Sequence, residues 1–375
     1  MAARPDPIAA RPAPLRTAGW VAAMRVKLFS TVPSGITTVV LVAALLALLP
    51  AALDWLFFKA VWAPDFDACQ AARGVGACWG VIAEKHRIIL FGRYPLALQW
   101  RPELATAARV ALLVASCVRA CWKPWLAALW LAVLALFFGL MGGGTLLGMA
   151  TGLEPVPTDR WGGLPLTIML ATLSIVCAFP IAVAVALGRR SRLPAIRTVC
   201  LVYVELVRGV PLVSVLFMAS FLFPLFMPPG LHIDVLLRVL VGITLFAAAY
   251  MAEIVRGGLQ AIPKGQQEAA DTLGLSAWQT QRKIVLPQAL ALVVPGLMNN
   301  FISLFKDTSL VTIVSLFELT GAMGLALNGD SDWRPFKVEA YLFIAALYFS
   351  ICFSMSRYSL WIEKQLRRST NSQPT

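Results

Sequence analysis

Long apolar stretches, broken at intervals by short clusters of charge, proline and glycine, run from residue 35 to residue 361. Crossing the hydrocarbon of a bilayer takes about 20 apolar residues in helical form, and a helix satisfies its own backbone hydrogen bonds there. On that length rule the chain predicts about eight transmembrane helices. They run from Gly35 to Phe58, Leu104 to Cys121, Trp125 to Leu147, Leu164 to Leu187, Val199 to Met227, Val235 to Ile254, Ala289 to Lys306, and Ala340 to Trp361. Thr106 and Arg109 interrupt the second, and Arg109 is expected to snorkel toward the interface. Gly209 and Pro211 predict a break in the fifth, whose freed backbone groups need a cavity or a protein partner. The apolar stretch from Asp307 to Leu325 is expected to be re-entrant or interfacial, because another full crossing would upset the even parity argued next. The fold class is an all-α polytopic membrane protein.

Composition agrees: 59% of residues are hydrophobic and only 14% charged, far from the averages of soluble domains. The formal net charge of +13 changes the picture only by fixing direction. Short cytoplasmic loops collect Lys and Arg. Both ends placed inside give that side Arg4, Arg11, Arg16, Arg25 and Lys27, then Arg119 and Lys123, then Arg189, Arg190, Arg192 and Arg197. The same side gains Arg256, Lys264, Arg282 and Lys283, and finally Lys364, Arg367 and Arg368. Short outer loops hold only Arg160, Arg334 and Lys337. Topology and anionic inner-leaflet lipid account for this excess. A nucleic-acid surface would instead interleave cations with aromatics on one face. Residues 1–34 read as a cytoplasmic tail without a cleavable signal, followed by a retained anchor over 35–58. A long outer loop follows over 59–103, then two helices within 104–147, and the chain closes on a cytoplasmic tail at 369–375.

The outer loop carries Cys69 and Cys78, a pair on the oxidising side and so a disulfide candidate. Cys117, Cys121, Cys177, Cys200 and Cys352 fall in or beside spans and read as small packing residues. The two histidines, His86 and His232, are not at ligand spacing with either outer cysteine, so no metal site is expected. The chain contains neither a G-x-x-x-x-G-K-[ST] phosphate loop nor a G-x-S-x-G elbow. Gly142, Gly143 and Gly144 sit at the outer end of an apolar span, where close helix approach or helix termination explains them. No enzymatic activity and no bound cofactor are expected of this chain.

Between two apolar helices lies a polar segment, 263–287, in which Glu268, Ala269, Ala270, Gly274, Ile284, Leu286 and Pro287 form the pattern E-A-A-x3-G-x9-I-x-L-P. The first three are good helix formers, Gly274 can take the left-handed conformation that ends a helix, and Pro287 suits the start of another. This spacing resembles the EAA loop of ABC importer permeases. In that family the loop is a short helix, a glycine turn and a second helix, fitted into a groove of a separate ATPase. Further stretches resemble the polar amino acid permeases: Tyr203 to Leu212, Ala249 to Gln260, Phe305 to Leu310, and Ser354 to Tyr358. The resemblance covers roughly Trp161 to Arg368 and implies a five-helix type I importer core over 161–368. The extra N-terminal spans, the paired outer cysteines, Trp161 to Thr167 and Val215 to Ser220 look like the M-type permeases of general L-amino acid (Aap) transporters.

That resemblance implies half of a translocation pore in a bacterial inner membrane, importing a broad range of L-amino acids. It further implies a second, different permease, two copies of a cytoplasmic ABC ATPase that bind the ATP and Mg, and a periplasmic amino-acid-binding protein. An ion-coupled secondary amino acid transporter is the alternative, and would be expected to show internal repeats with broken helices and mid-membrane acids. Glu205 with Arg208, and Glu253 with Arg256, are i,i+3 pairs at inner helix ends, where each carboxylate is expected to neutralise its own guanidinium. Lys306 and Asp307 are adjacent and so do not face one another on a helix, and each needs another partner in an otherwise apolar span. With the hydroxyls of Thr308 and Ser309 they either line a pathway or gate, or belong to an interhelical network.

Overall fold

The apolar runs become helices almost throughout residues 19–146 and 148–371, which the computed structural model describes. The first 18 residues of the expected cytoplasmic tail, Leu147 at the expected end of the third span, and the last four residues lie outside the described residues. The chain divides into two units, residues 1–80 and 81–375.

The first unit contains helices α1 (Trp20–Leu28), α2 (Val32–Leu53) and α3 (Phe66–Ala71). Thr31 caps α2 by accepting from the Ser34 amide at 3.3 Å, with Pro33 in the first turn. A π-helical turn, Asp54–Phe58, extends α2 to a run of 27 residues, about 40 Å at 1.5 Å per residue and sufficient to span a bilayer. None of its most apolar stretch is buried within the chain. Beyond it, Cys69 and Cys78 are joined by a disulfide with Cα atoms 5.3 Å apart. Val61 bridges to Cys78, and the Trp62 and Trp79 rings stack at 5.9 Å, so the segment folds on itself around two buried sulfurs.

The second unit contains α4 (Gly80–Phe91, beginning at the last residue of the first), α5 (Trp100–Cys117), α6 (Trp125–Gly142), α7 (Gly163–Gly188), α8 (Pro194–Arg208), α9 (Leu212–Phe217) and α10 (Val235–Ala261). After these come α11 (Lys264–Thr272), α12 (Ala277–Thr280), α13 (Leu286–Asp307), α14 (Leu319–Asn328) and α15 (Lys337–Asn371). A two-residue hairpin pairs Thr145–Leu146 with Met149–Ala150. α10 is the centre, packed against α7, α8, α9 and α13. Its buried face holds Ala247, Ala248, Ala249 and Ala252, and α7 answers with Ala178, Ala182 and Ala186. Small side chains let helix backbones approach closely, which drives association where lipid removes the hydrophobic incentive.

Among the described residues, six helical runs are long and apolar enough to cross a membrane, or seven with the pair α8 and Leu212–Phe226 counted as one. The fifth span, Val199 to Met227, breaks where Gly209 and Pro211 predict, and its two arms meet at 105°. Pro211 has no amide to continue α8 and disfavours helical geometry at Val210, so α8 ends at Arg208 and a new helix starts at Leu212. The second span is helical as α5, but Arg101, Glu103 and Arg109 keep it below the apolarity of the others. Nor does Arg109 snorkel. It is 2% exposed, with its guanidinium 4.2 Å above the Phe137 ring and one hydrogen bond, at 3.3 Å, to Thr172 Oγ1. α5 turns one face, Arg101, Ala105, Arg109 and Leu112, inward, and the cation follows that face. The expected re-entrant piece after Asp307 is a 3-10 turn, Thr308–Val314, followed by the ten-residue α14, too short to span.

Candidate functional site

Three clusters hold the chemistry, and the polar loop is the first. Glu268, Ala269 and Ala270 lie on α11, with Glu268 and Ala269 exposed and Ala270 buried at 1%. Gly274 has φ 71, and the Leu275 amide reaches back to the Ala270 carbonyl at 3.1 Å while the Gly274 amide reaches Asp271 at 3.0 Å. This left-handed cap is the reason for glycine, since a Cβ there would meet nothing within 4 Å. Ser276 and Gln279 then form a reciprocal capping box that starts α12. A π-helical turn, Gln281–Val285, leads into α13, with Ile284 and Leu286 half-buried and Pro287 in the first turn. Leu273 at the end of α11 (77%) and Trp278 within α12 (65%) are exposed among polar neighbours, two apolar side chains that the motif alone does not pick out.

The second cluster joins α7, α8 and α10. Glu253 accepts from Arg256 in a close bidentate contact and from Arg189 Nη1 at 2.6 Å, and Arg208 stands 3.7 Å away. The Glu253–Arg256 pairing is present, whereas Glu205 pairs with Arg189 at 3.3 Å and not with its expected partner Arg208. The reason is tertiary: Arg189, at the end of α7, reaches between both acids, and Arg208 turns toward Glu253 and the Tyr250 ring, 5.6 Å from its centroid. One carboxylate thus gathers three guanidinium groups from three helices.

The third cluster surrounds the end of α13. Asp307 lines a cavity of about 230 Å³ together with Asn300 and Ser303 of the same helix and Phe246 and Tyr250 of α10. Asn300, Ser303 and Asp307 fall on one helical stripe, spaced three and four apart. Lys306 is exposed, and no ion pair reaches Lys306 or Asp307 among the described residues. Thr308 is buried and donates to the Phe305 carbonyl at 2.7 Å, and Ser309 is half-buried. Beyond them lies a residue that sequence reading passed over. Glu318, 0% exposed, caps α14 and accepts from Thr320 and Gly321 amides and from Thr167, Thr312 and Tyr348 hydroxyls. One acid in an otherwise apolar stretch was the available signal.

Among the described residues no group of His, Cys, Asp and Glu is arranged to hold a metal ion. The family described as the binding-protein-dependent transport system inner membrane component matches residues 178–368. The inner membrane amino-acid ABC transporter permease protein YhdY of Escherichia coli (strain K12) is 42% identical, over 95% of this chain and 95% of that protein. The glutamate/glutamine/aspartate/asparagine transport system permease protein BztC of Rhodobacter capsulatus is 35% identical, over 97% of this chain and 98% of its own length. A shorter relative, the probable glutamine ABC transporter permease protein GlnP of Bacillus subtilis, is 35% identical, with 88% of its length matched by 52% of this chain.

Proposed function

The chain belongs to the family of inner-membrane components of binding-protein-dependent transport systems, and from that premise we propose that it is one permease subunit of an ATP-driven importer of L-amino acids. The observation that carries the reading is the loop 263–287, two short helices hinged at the left-handed Gly274 with Glu268, Leu273 and Trp278 presented outward. An exposed apolar patch rimmed by polar residues is a protein docking surface, and Trp is the residue type most enriched where binding energy concentrates. Its partner is a cytoplasmic ATPase, present in two copies and carrying the ATP and Mg; this chain binds neither. Loop and α13 are continuous, so a push on α11 and α12 is delivered to the helix that ends at Asp307.

The cavity beside Asp307 is one wall of the pathway, and Lys306, Thr308 and Ser309 adjoin Asp307 in the chain without lining that cavity. At about 230 Å³ it falls below the usual 300–1,000 Å³ of a complete ligand pocket, as expected of a half-site that a second, different permease completes. An amino acid zwitterion offers one group of each sign to Asp307 and Lys306. A periplasmic binding protein delivers it to the outer face. Both termini are cytoplasmic, which the cation distribution favours and which requires both the bent pair, α8 with Leu212–Phe226, and α5 to cross. The Cys69–Cys78 pair then stands on the oxidising side.

The test is a coupling measurement. Glu268→Lys and Trp278→Ala should insert and assemble with the second permease, yet lose substrate-stimulated ATP hydrolysis by roughly tenfold or more, the scale of one lost anchor. Hydrolysis and uptake near wild type in both variants would show that the loop does not couple.

A further inference from the structure

We propose that Glu318 is a positioning residue for transport, the pin that holds the segment 308–321 against α7 and α15 and so keeps the wall beside Asp307 in place. The inference rests on the reading of Asp307 as a pathway residue. α13 ends at Asp307, tightens into the 3-10 turn, and reverses direction at Ser315. Ser315 has φ 63, the one positive φ at a non-glycine residue among the described residues. Left-handed geometry at such a residue is strained and persists where its surroundings over-determine it.

Glu318 supplies that over-determination. Its Oε1 accepts from the Thr320 amide at 2.9 Å, the Gly321 amide at 3.0 Å and Thr312 Oγ1 at 3.2 Å, tying both sides of the reversal to one atom. Its Oε2 accepts from the Tyr348 hydroxyl of α15 at 2.9 Å and from Thr167 Oγ1 of α7 at 3.3 Å. Thr167 Oγ1 in turn accepts the Leu319 amide at 3.1 Å, and the Gly163 amide donates to the Phe317 carbonyl at 2.9 Å. Gly163 itself has φ 63, and a Cβ there would stand 2.1 Å from the Leu90 carbonyl oxygen, so this close approach beneath the pin admits only glycine.

Four donors and a share of the Thr167 hydroxyl, which also reaches the Gly163 carbonyl at 3.0 Å, surround a carboxylate that is acceptor-only when ionised, and no cation pairs with Glu318 among the described residues. A carboxylate chosen only to cap a ten-residue helix would face its amides; this one also faces two other helices. The route to the cavity is short. The Tyr348 ring lies 5.4 Å from Phe305, two residues before Asp307, and Thr308 directly follows it. Movement of the reversal therefore moves the end of α13.

The experiment uses the complete importer in proteoliposomes and reads ATP hydrolysed per amino acid imported, beside complex yield and melting temperature. Glu318→Ala should raise that ratio roughly tenfold, the scale of losing one hydrogen bond to a charged group. Glu318→Gln keeps an acceptor for the two amides and replaces Oε2 by a donor, from which the Tyr348 hydroxyl oxygen can accept once its proton turns away, and should restore the ratio to within about twofold. Should the alanine variant fail to assemble, Tyr348→Phe and Thr167→Val, each deleting one donor, should raise the ratio severalfold. Reduced yield with an unchanged ratio in the assembled variants would make Glu318 a folding residue only and overturn the proposal. Asp307→Ala run alongside separates the two readings: altered uptake there with an unchanged Glu318 ratio removes the pin and leaves the pathway, whereas unchanged uptake in Asp307→Ala removes both.

Discussion

Glu253 and Arg109 show opposite ways of keeping a charge among packed helices. Glu253 draws in Arg189, Arg208 and Arg256, so the sequence-local pairing of Glu205 with Arg208 loses to a three-helix arrangement. Arg109 has no carboxylate partner among the described residues and rests on an aromatic face, an interaction that strengthens when water is excluded. Neither arrangement is visible in spacing, because Arg189 is 64 residues from Glu253 and Thr172 is 63 from Arg109. A third pair lies outside the spans. Lys85 of α4 donates to Asp330 at 2.7 Å, and that hydrogen bond holds the Asp330 carboxyl below the usual carboxylate range. A depressed folded-state pKa contributes stability that is present above the unfolded value near ~4 and is lost as pH falls through the folded one. Lys85→Met should therefore lower thermal stability at pH 7 by no more than about 1 kcal/mol, as for other partly exposed pairs. The gap from wild type should close on acidification below about pH 4. A gap that stays constant down to that range would show that Lys85 acts by packing and not by charge.

At the scale of elements, the apolar runs announced nearly every long helix, because length and hydropathy are local properties. The glycine turn at Gly274 and the break at Gly209 to Pro211 were legible for the same reason: each follows from what one or two residues can do with their own φ angles or amide. The extent of the break was not, since 105° depends on what α8 and the following helix pack against. The exposed Leu273 and Trp278 also escaped, because an apolar residue in a motif reads as core until a fold leaves it outside. Gly274→Val tests the turn directly. A β-branched residue at φ 71 has open space and meets only backbone strain, so it should cost roughly 1–3 kcal/mol within the loop. It should leave the melting of the membrane helices unchanged. Hydrogen exchange across 264–280 should rise in the variant, and unaltered protection would place the turn's stability elsewhere.

For the whole molecule, family membership fixes the class, and two relatives match nearly its full length whereas the shorter one matches 52% of it. What the sequence could not supply is the tertiary wiring around α14, where Glu318 reaches Thr167 across 151 residues. On the function we propose, an ATPase drives this permease through the loop 263–287 and no ion gradient does. The direct measurement is uptake of a labelled L-amino acid panel into proteoliposomes holding this chain, the second permease, the ATPase and the binding protein. Uptake should require ATP and the binding protein, continue when proton and sodium gradients are collapsed, and fall to background in Gly274→Val. Uptake that proceeds without ATP and follows an imposed proton or sodium gradient would contradict the account.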